Sequence, residues 1–138
     1  MTAYVDSSVI LRVVLGSPNR LAEWERLARP VASRLVRVEC LRTLDRSHQQ
    51  RLLAAADLSA RRGLAIKIFE AFHLVELTAD LLSRVEAPFP TPLRTLDAIH
   101  VASAVAWREV HGDLFFATHD REQALGAQAL GFRIMGFP

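Results

Sequence analysis

Leu114-Phe115-Phe116-Ala117-Thr118-His119-Asp120 passes from four consecutive apolar residues straight into a hydroxyl, an imidazole and a carboxylate. An apolar run without polar alternation suits a strand buried on both faces, and such strands belong to parallel sheets covered by helices. The polar residues then fall at the strand's carboxyl end, where open parallel sheets bind their ligands. Ala3-Tyr4-Val5-Asp6 repeats the arrangement near the start of the chain.

Between these two segments strands and helices alternate. Asp6-Ser7-Ser8 turns the first strand into a helix to about Leu15, which Gly16-Ser17-Pro18 ends. Residues 21–28 form a second helix with Pro30 as breaker. Val31-Ala32 is a minimal strand, and Ser33 caps a helix through Leu44 that carries Glu39. Residues 49–72 are expected as a helical hairpin broken at Arg61-Arg62-Gly63. Residues 73–77 alternate as a strand, Thr78 caps a helix over 79–85, and Pro88, Pro90 and Pro92 stiffen the loop beyond it. Thr95 is the expected cap of an apolar helix over 96–110, with Gly112 as its left-handed terminator. A helix over 121–130 ends at Gly131, and 132–135 is an edge strand. This alternation predicts an α/β architecture, a central parallel sheet flanked by helices, in one domain spanning 1–138.

Composition narrows the function. Hydrophobic residues make up 51% of the chain and mean hydropathy is +0.17, an apolar excess that predicts a surface covered by a partner. Asp97 and His100 interrupt the longest apolar stretch, which excludes a membrane span, and Asp6 breaks the only apolar stretch of an N-terminus that lacks the basic region of a signal peptide. The single cysteine, Cys40, excludes an internal disulfide and fits a reducing cytoplasm. Seventeen basic residues face fifteen acidic ones. Setting aside four carboxylates, Asp6, Glu39, Asp97 and Asp120, leaves the remainder at +6, nearly all arginine, with Lys67 the only lysine. An arginine-rich rim around an acidic pocket suits a phosphodiester substrate; solvated arginines spread over the surface are the alternative.

Those four carboxylates are the chemical signal. Asp6 and Asp120 follow strands directly, and Asp97 falls in the first turn of a helix, so three acids share one sheet edge; spacing alone does not place Glu39 there. Gathered acids repel unless a cation intervenes, and Mg2+ or Mn2+ is the natural one for oxygen donors. Such an ion activates water against a phosphoryl centre. One cysteine and five scattered histidines offer no zinc spacing. Each aspartate also has a plainer reading, as an acid favoured by the helix dipole. Glu39, among Val36, Val38, Cys40 and Leu41 on a helix expected to be buried, needs a partner.

Four strings in order carry a family resemblance: YVDSSVILR from Tyr4, SRLVRVECLRTL from Ser33, LRTLDAIHVASA from Leu93 and FATHDREQALGAQALGF from Phe116. Across essentially its whole length the chain resembles PIN-domain ribonucleases, in particular the toxins of VapBC-type toxin–antitoxin modules. The resemblance implies a three-layer sandwich around a mostly parallel, twisted sheet, and a metal-dependent endoribonuclease using Mg2+ or Mn2+. It implies Asp6, Glu39 and Asp97 as the principal metal-binding acids and Asp120 as the fourth, with Thr118 and Ser7 supporting them. A homodimer is implied, as is a small antitoxin whose tail occupies the active-site groove. Residues 45–86 carry no motif.

Other residues near the motifs are further candidates. His100, one turn after Asp97, is either a hydrogen-bonding group at the site or a satisfied core histidine. Arg12, Arg42 and Arg94 are candidates for gripping phosphate, with solvated or salt-bridged arginine as the alternative. Trp24 and Trp107 could stack on bases, though Trp107 fits the core better, and Cys40 is expected to be buried and inert. A receiver-like phosphoacceptor would need a lysine near the acids, a dehalogenase-type phosphatase an aspartate where Ser8 stands, and a nucleotide hydrolase a glycine-rich phosphate loop. The rival from another class is a non-catalytic PIN-like module that binds RNA or protein.

Overall fold

The two apolar runs pair with each other. In the computed structural model, which describes residues 1–137, β1 (Ala3–Val5) lies parallel to β4 (Phe115–Ala117), with Tyr4 opposite Phe116 and Val5 opposite Ala117. β2 (Val31–Ser33) flanks β1 on the other side, β3 (His73–Val75) lies outside β2, and β5 (Ile134–Met135) pairs with β4. The order is β3-β2-β1-β4-β5 and every pairing is parallel, so all the strands' carboxyl ends share one edge.

Alternation along the strands sorts side chains onto two faces. Ala3, Val5, Ala32 and Ala117 join a core with α1 (Ser7–Val14), α2 (Leu35–Gln49) and α3 (Ala55–Glu70), through Val9, Ile10, Val36, Leu44 and Phe69. Tyr4, Val31 and Phe116 join another with α5 (Thr95–His111) and α6 (Arg121–Ala129), through Val101, Ala104 and Ala127. α4 (Ala79–Val85) packs on α5. The result is the helix–sheet–helix sandwich that the sequence predicts.

Side-chain caps set several helix starts. Asp6, Thr78 and Asp120 accept from the backbone N–H of Ser8, Leu81 and Gln123 at 3.2, 3.1 and 2.9 Å, each contact worth about 1 kcal/mol. Ser33 Oγ accepts from Leu35 N–H at 3.1 Å, but Arg34, without a side-chain bond, holds the cap position of α2, which runs on past Leu44 to Gln49. Thr95 is not the cap of α5. Extended Arg94 holds that position without a side-chain bond, and the helix starts at Thr95, one residue earlier than expected.

Three more expectations change. Residues 21–28 hold only the short 3-10 turn Trp24–Arg26, because Leu27 turns extended and Ala28 N–H is used by Met1 C=O at 3.0 Å. Residues 55–70 make one continuous helix through Arg61-Arg62-Gly63. The break lies at 50–54 instead, where Arg51 has φ +60°. Gly63 weakens a helix without ending it, and Ala65, Phe69 and the bond from Arg61 Nη1 to Val14 C=O (2.7 Å) anchor α3 on the first core. A Cβ at Gly63 would meet nothing within 4 Å. Gly63→Ala is therefore expected to stabilise the protein by about 0.5–1 kcal/mol, seen as a raised thermal midpoint; a lowered midpoint would show that the backbone there needs glycine. Finally, β5 is confined to Ile134–Met135, because Phe132 turns inward to the second core.

Gly136 has φ +85°, and a Cβ there would lie 2.8 Å from the Thr118 carbonyl oxygen. Its own carbonyl accepts from His119 Nδ1 at 2.8 Å. Glycine thus lets the chain leaving β5 close against the loop that presents Thr118 and Asp120.

Candidate active site

β1 leads directly into Asp6, which is 5% exposed and oriented by its role as the cap of α1. The adjacent strand β4 delivers Thr118, fully buried, whose Oγ1 donates to Asp6 Oδ2 at 3.2 Å and accepts from Asp120 N–H at 3.0 Å. Neighbouring parallel strands therefore present Asp6, Thr118 and Asp120 together at the carboxyl edge.

The missing acids come from the helices on either face. Glu39 stands on α2, and its Oε1 lies 2.6 Å from Nε2 of His100, on α5. The same Nε2 is 3.6 Å from Asp6 Oδ1. His100 is 1% exposed and sits between Asp6 and Glu39 as a bridge. Its Nδ1 lies 2.7 Å from Tyr4 Oη, which accepts from Ser33 N–H at 3.0 Å. Burial, with Asp6 next in weight, pushes the Tyr4 phenol well up, so it keeps its proton. With one lone pair taken by Ser33, its O–H is free to donate to Nδ1 when His100 is neutral. Nε2 then carries a hydrogen in either protonation state and donates to Glu39. Burial opposes charge on His100, yet its bond to Glu39 and the charges of Asp6, Glu39 and Asp97 outweigh it and raise its pKa.

A second bridge joins the aspartates. Gln123, fully buried on α6, lies with one end of its amide 3.0 and 3.2 Å from the two Asp6 oxygens and 2.9 Å from Thr118 Oγ1. Those partners require that end to be the NH2, since the reverse would set oxygen against carboxylate. The other end, the carbonyl oxygen, lies 3.5 Å from Asp97 Oδ1 without a hydrogen bond to the ionised carboxylate, and Gln123 N–H donates to Asp120 Oδ1 at 2.9 Å. Asp97, half-buried in the first turn of α5, has its pKa raised to about 6 by burial first, then by Asp120 and Asp6. Asp6, Glu39 and Asp120 thus belong to one connected set, with Asp6 at its centre and His100 and Gln123 as its bridges, and Asp97 lies beside it against the Gln123 amide.

Other candidates fall on and off this set. Ser7 is buried, but the serine in the network is Ser8, whose Oγ accepts from His119 N–H at 3.1 Å. Arg12 donates to Asn19 C=O at 2.9 Å, a loop contact. Arg42 pairs with Asp45 at 3.4 Å on the exposed side of α2, and Arg94 is exposed beside the start of α5. Trp24 packs on Phe72, and Trp107 stacks on His111 at 3.8 Å. Cys40 is buried, and burial with Glu39 and Asp6 pushes its thiol pKa up. Val38 is 57% exposed, so the helix around Glu39 is less buried than its composition predicts. Tyr4 and Gln123 were not singled out by sequence. The capping-box spacing Asp120-Arg121-Glu122-Gln123 was the available signal for Gln123. Tyr4 had none.

The donor chemistry fits a hard divalent cation. The acids supply oxygen, Asp97 ionises reluctantly against its neighbours, and among the described residues no side chain but His100 forms an ion pair with the group. Among the described residues no three acidic, histidine or cysteine side chains form a ready cage. Mg2+ does not require one, since it binds through one or two carboxylates and keeps several waters.

A family model described as "PIN domain" matches residues 3–127. The chain is 33% identical to Ribonuclease VapC46 of Mycobacterium tuberculosis, over 96% of this chain and 95% of that relative. Among solved structures it superposes on the crystal structure of PAE2754 from Pyrobaculum aerophilum with a TM-score of 0.63, at 19% identity, covering 97% of this chain and 83% of the other.

Proposed function

Because this chain belongs to the PIN-domain family, we propose that it is a metal-dependent endoribonuclease, the toxin of a type II toxin–antitoxin pair. The observation that carries the proposal is the convergence of Asp6, Glu39, Asp97 and Asp120, from four separate segments, at the sheet's carboxyl edge, where contacts through His100, Thr118 and Gln123 tie Asp6, Glu39 and Asp120 together and Asp97 lies against the Gln123 amide. The similarity to a protein named a ribonuclease supports the reaction class. In this reading one PIN domain spans 1–138, and the four acids hold Mg2+ or Mn2+. Bound there, it would supply a water of lowered pKa and positive charge opposite the scissile phosphate. The protein's own groups do the positioning: Asp6 is fixed by Ser8, Thr118 and Gln123, and Glu39 by His100.

A small antitoxin and a second copy of the chain are the proposed partners, in the cytoplasm. No helix among the described residues is long and apolar enough to cross a membrane. Exposed Leu82 and Leu96, beside an apolar groove of about 600 Å3 between α4 and α5, supply surface for such a partner.

The test is incubation of a mixed cellular RNA pool with purified protein in Mg2+ or Mn2+ against EDTA, beside Asp97→Asn. Cutting that needs metal and is lost in the variant is expected. A folded protein that binds RNA but neither binds metal nor cuts would instead be a non-catalytic binding module. Expression without the antitoxin is expected to arrest growth and co-expression with it to restore growth; harmless expression of active, soluble protein alone would overturn the toxin assignment.

A further inference from the structure

We propose that the groove between α2 and α3, lined by Arg37, Val38, Leu41, Arg42, Asp45 and Arg62, carries the phosphate backbone of the RNA strand beside the acidic site. The inference rests on the ribonuclease reading above and deepens it by naming where substrate outside the scissile bond is held.

The groove encloses about 450 Å3 and brings three guanidinium groups together with one carboxylate. It runs along the helix that carries Glu39. Val38 precedes Glu39 on α2, and Arg42 follows Glu39 by three residues, so it emerges on a neighbouring part of the same helix face. A phosphodiester strand bound at the acids must leave them across adjoining surface, and the acids repel it wherever no cation intervenes. The arginines here supply the opposite sign where the strand needs it.

Their present contacts leave them available. Arg62 is exposed and has no ion pair among the described residues. The Arg42–Asp45 pair is 3.4 Å long with side chains 72% and 41% exposed, a weak and salt-screened contact that phosphate can replace. Arg37 lies over the Phe69 ring at 5.3 Å, which limits its freedom while its donors remain usable. Exposed Val38 and half-buried Leu41 give the floor an apolar strip for sugar or base. The bidentate fork of arginine suits phosphate oxygens better than a single point charge would.

The test uses the double variant Arg42→Gln with Arg62→Gln, both exposed and so of little consequence for folding, in the intact protein and again with Asp97→Asn to prevent cutting. Affinity for a labelled random-sequence single-stranded RNA is measured across a KCl series. Each lost phosphate contact lowers the slope of log affinity against log salt by about 0.7, so the double variant is expected to lose about 1.4. In the cutting-competent protein the loss is expected in KM, by about tenfold or more at physiological salt, rather than in kcat. Arg26→Gln with Arg29→Gln, flanking Ala28 where it bonds Met1 at the opposite sheet edge, is the matched control and is expected to leave the slope in place. If the parent cuts RNA but the groove variant keeps its slope and KM, this proposal falls while the ribonuclease reading stands. It falls equally if that variant, with slope and KM intact, loses a protein partner, which would mark the groove as a protein-docking surface. If the parent neither binds nor cuts RNA, both fall.

Discussion

Asp97→Asn is expected to reduce metal-dependent RNA cleavage to background, a loss on the order of a thousandfold. Withdrawing one charge from the acids that hold the cation removes several kcal/mol of transition-state stabilisation, and each 1.4 kcal/mol or so is a factor of ten. The same change is expected to make the metal-free protein as stable as its parent or more so, by about 1 kcal/mol. This gain depends on pH in a defined direction. The carboxyl of Asp97 is raised from an ordinary value of 3.8 to about 6, so the folded state holds its proton more tightly than the unfolded chain does. Below pH 3.8 parent and variant should melt alike. As pH rises through about 6 the parent ionises Asp97 against Asp120 and Asp6 and loses stability, and the variant does not. Because Asp97 is only half-buried, solvent screening keeps the difference well under the full value of that shift. Thermal midpoints across this range, in EDTA, measure it. A variant less stable than its parent at every pH would make Asp97 a structural residue of the α5 start.

His100→Leu is expected to lower metal-dependent activity and metal affinity by about ten- to a hundredfold, a range typical of groups that orient ligands from behind. It removes the hydrogen bond that holds Glu39 at 2.6 Å and takes from Tyr4 Oη its partner at 2.7 Å. Leaving the buried Tyr4 O–H without an acceptor and the part-buried Glu39 without its donor should also cost about 2 kcal/mol of stability without metal. His100→Gln, which can still donate to Glu39, should recover part of the affinity. Mn2+ titration followed calorimetrically, together with melting in EDTA, separates the effects. If His100→Leu binds Mn2+ like the parent, His100 only fills space between α2 and α5.

Much of this was legible in the chain. Leu114–Ala117 and Ala3–Val5 announce buried parallel strands because they lack polar alternation, and the sheet pairs them directly. Asp6 and Asp120 were legible as acids at strand ends because a strand's carboxyl end is where its helix begins, and both double as helix caps. The missed boundaries lie where tertiary contacts overrule local preference. Arg62-Gly63 looked like a break, but Ala65 and Phe69 hold α3 continuous against the first core. Residues 21–28 looked helical, but Leu21, Trp24 and Leu27 are spent on packing across the α3 side of the sheet.

The sequence by itself determined the sheet's parallel character, the two-sided burial of its strands and the types of residue available for chemistry. Those follow from periodicity and from backbone rules that act over a few residues. Only the tertiary structure decided that Glu39 reaches the edge where the aspartates lie. It also made His100 a bridge rather than a filler, and let Tyr4 and Gln123 hold the acids in place. Those relations join residues up to 117 positions apart, as between Asp6 and Gln123. Hydrogen bonds of that kind depend on how helices pack across a sheet, and no local pattern encodes that distance.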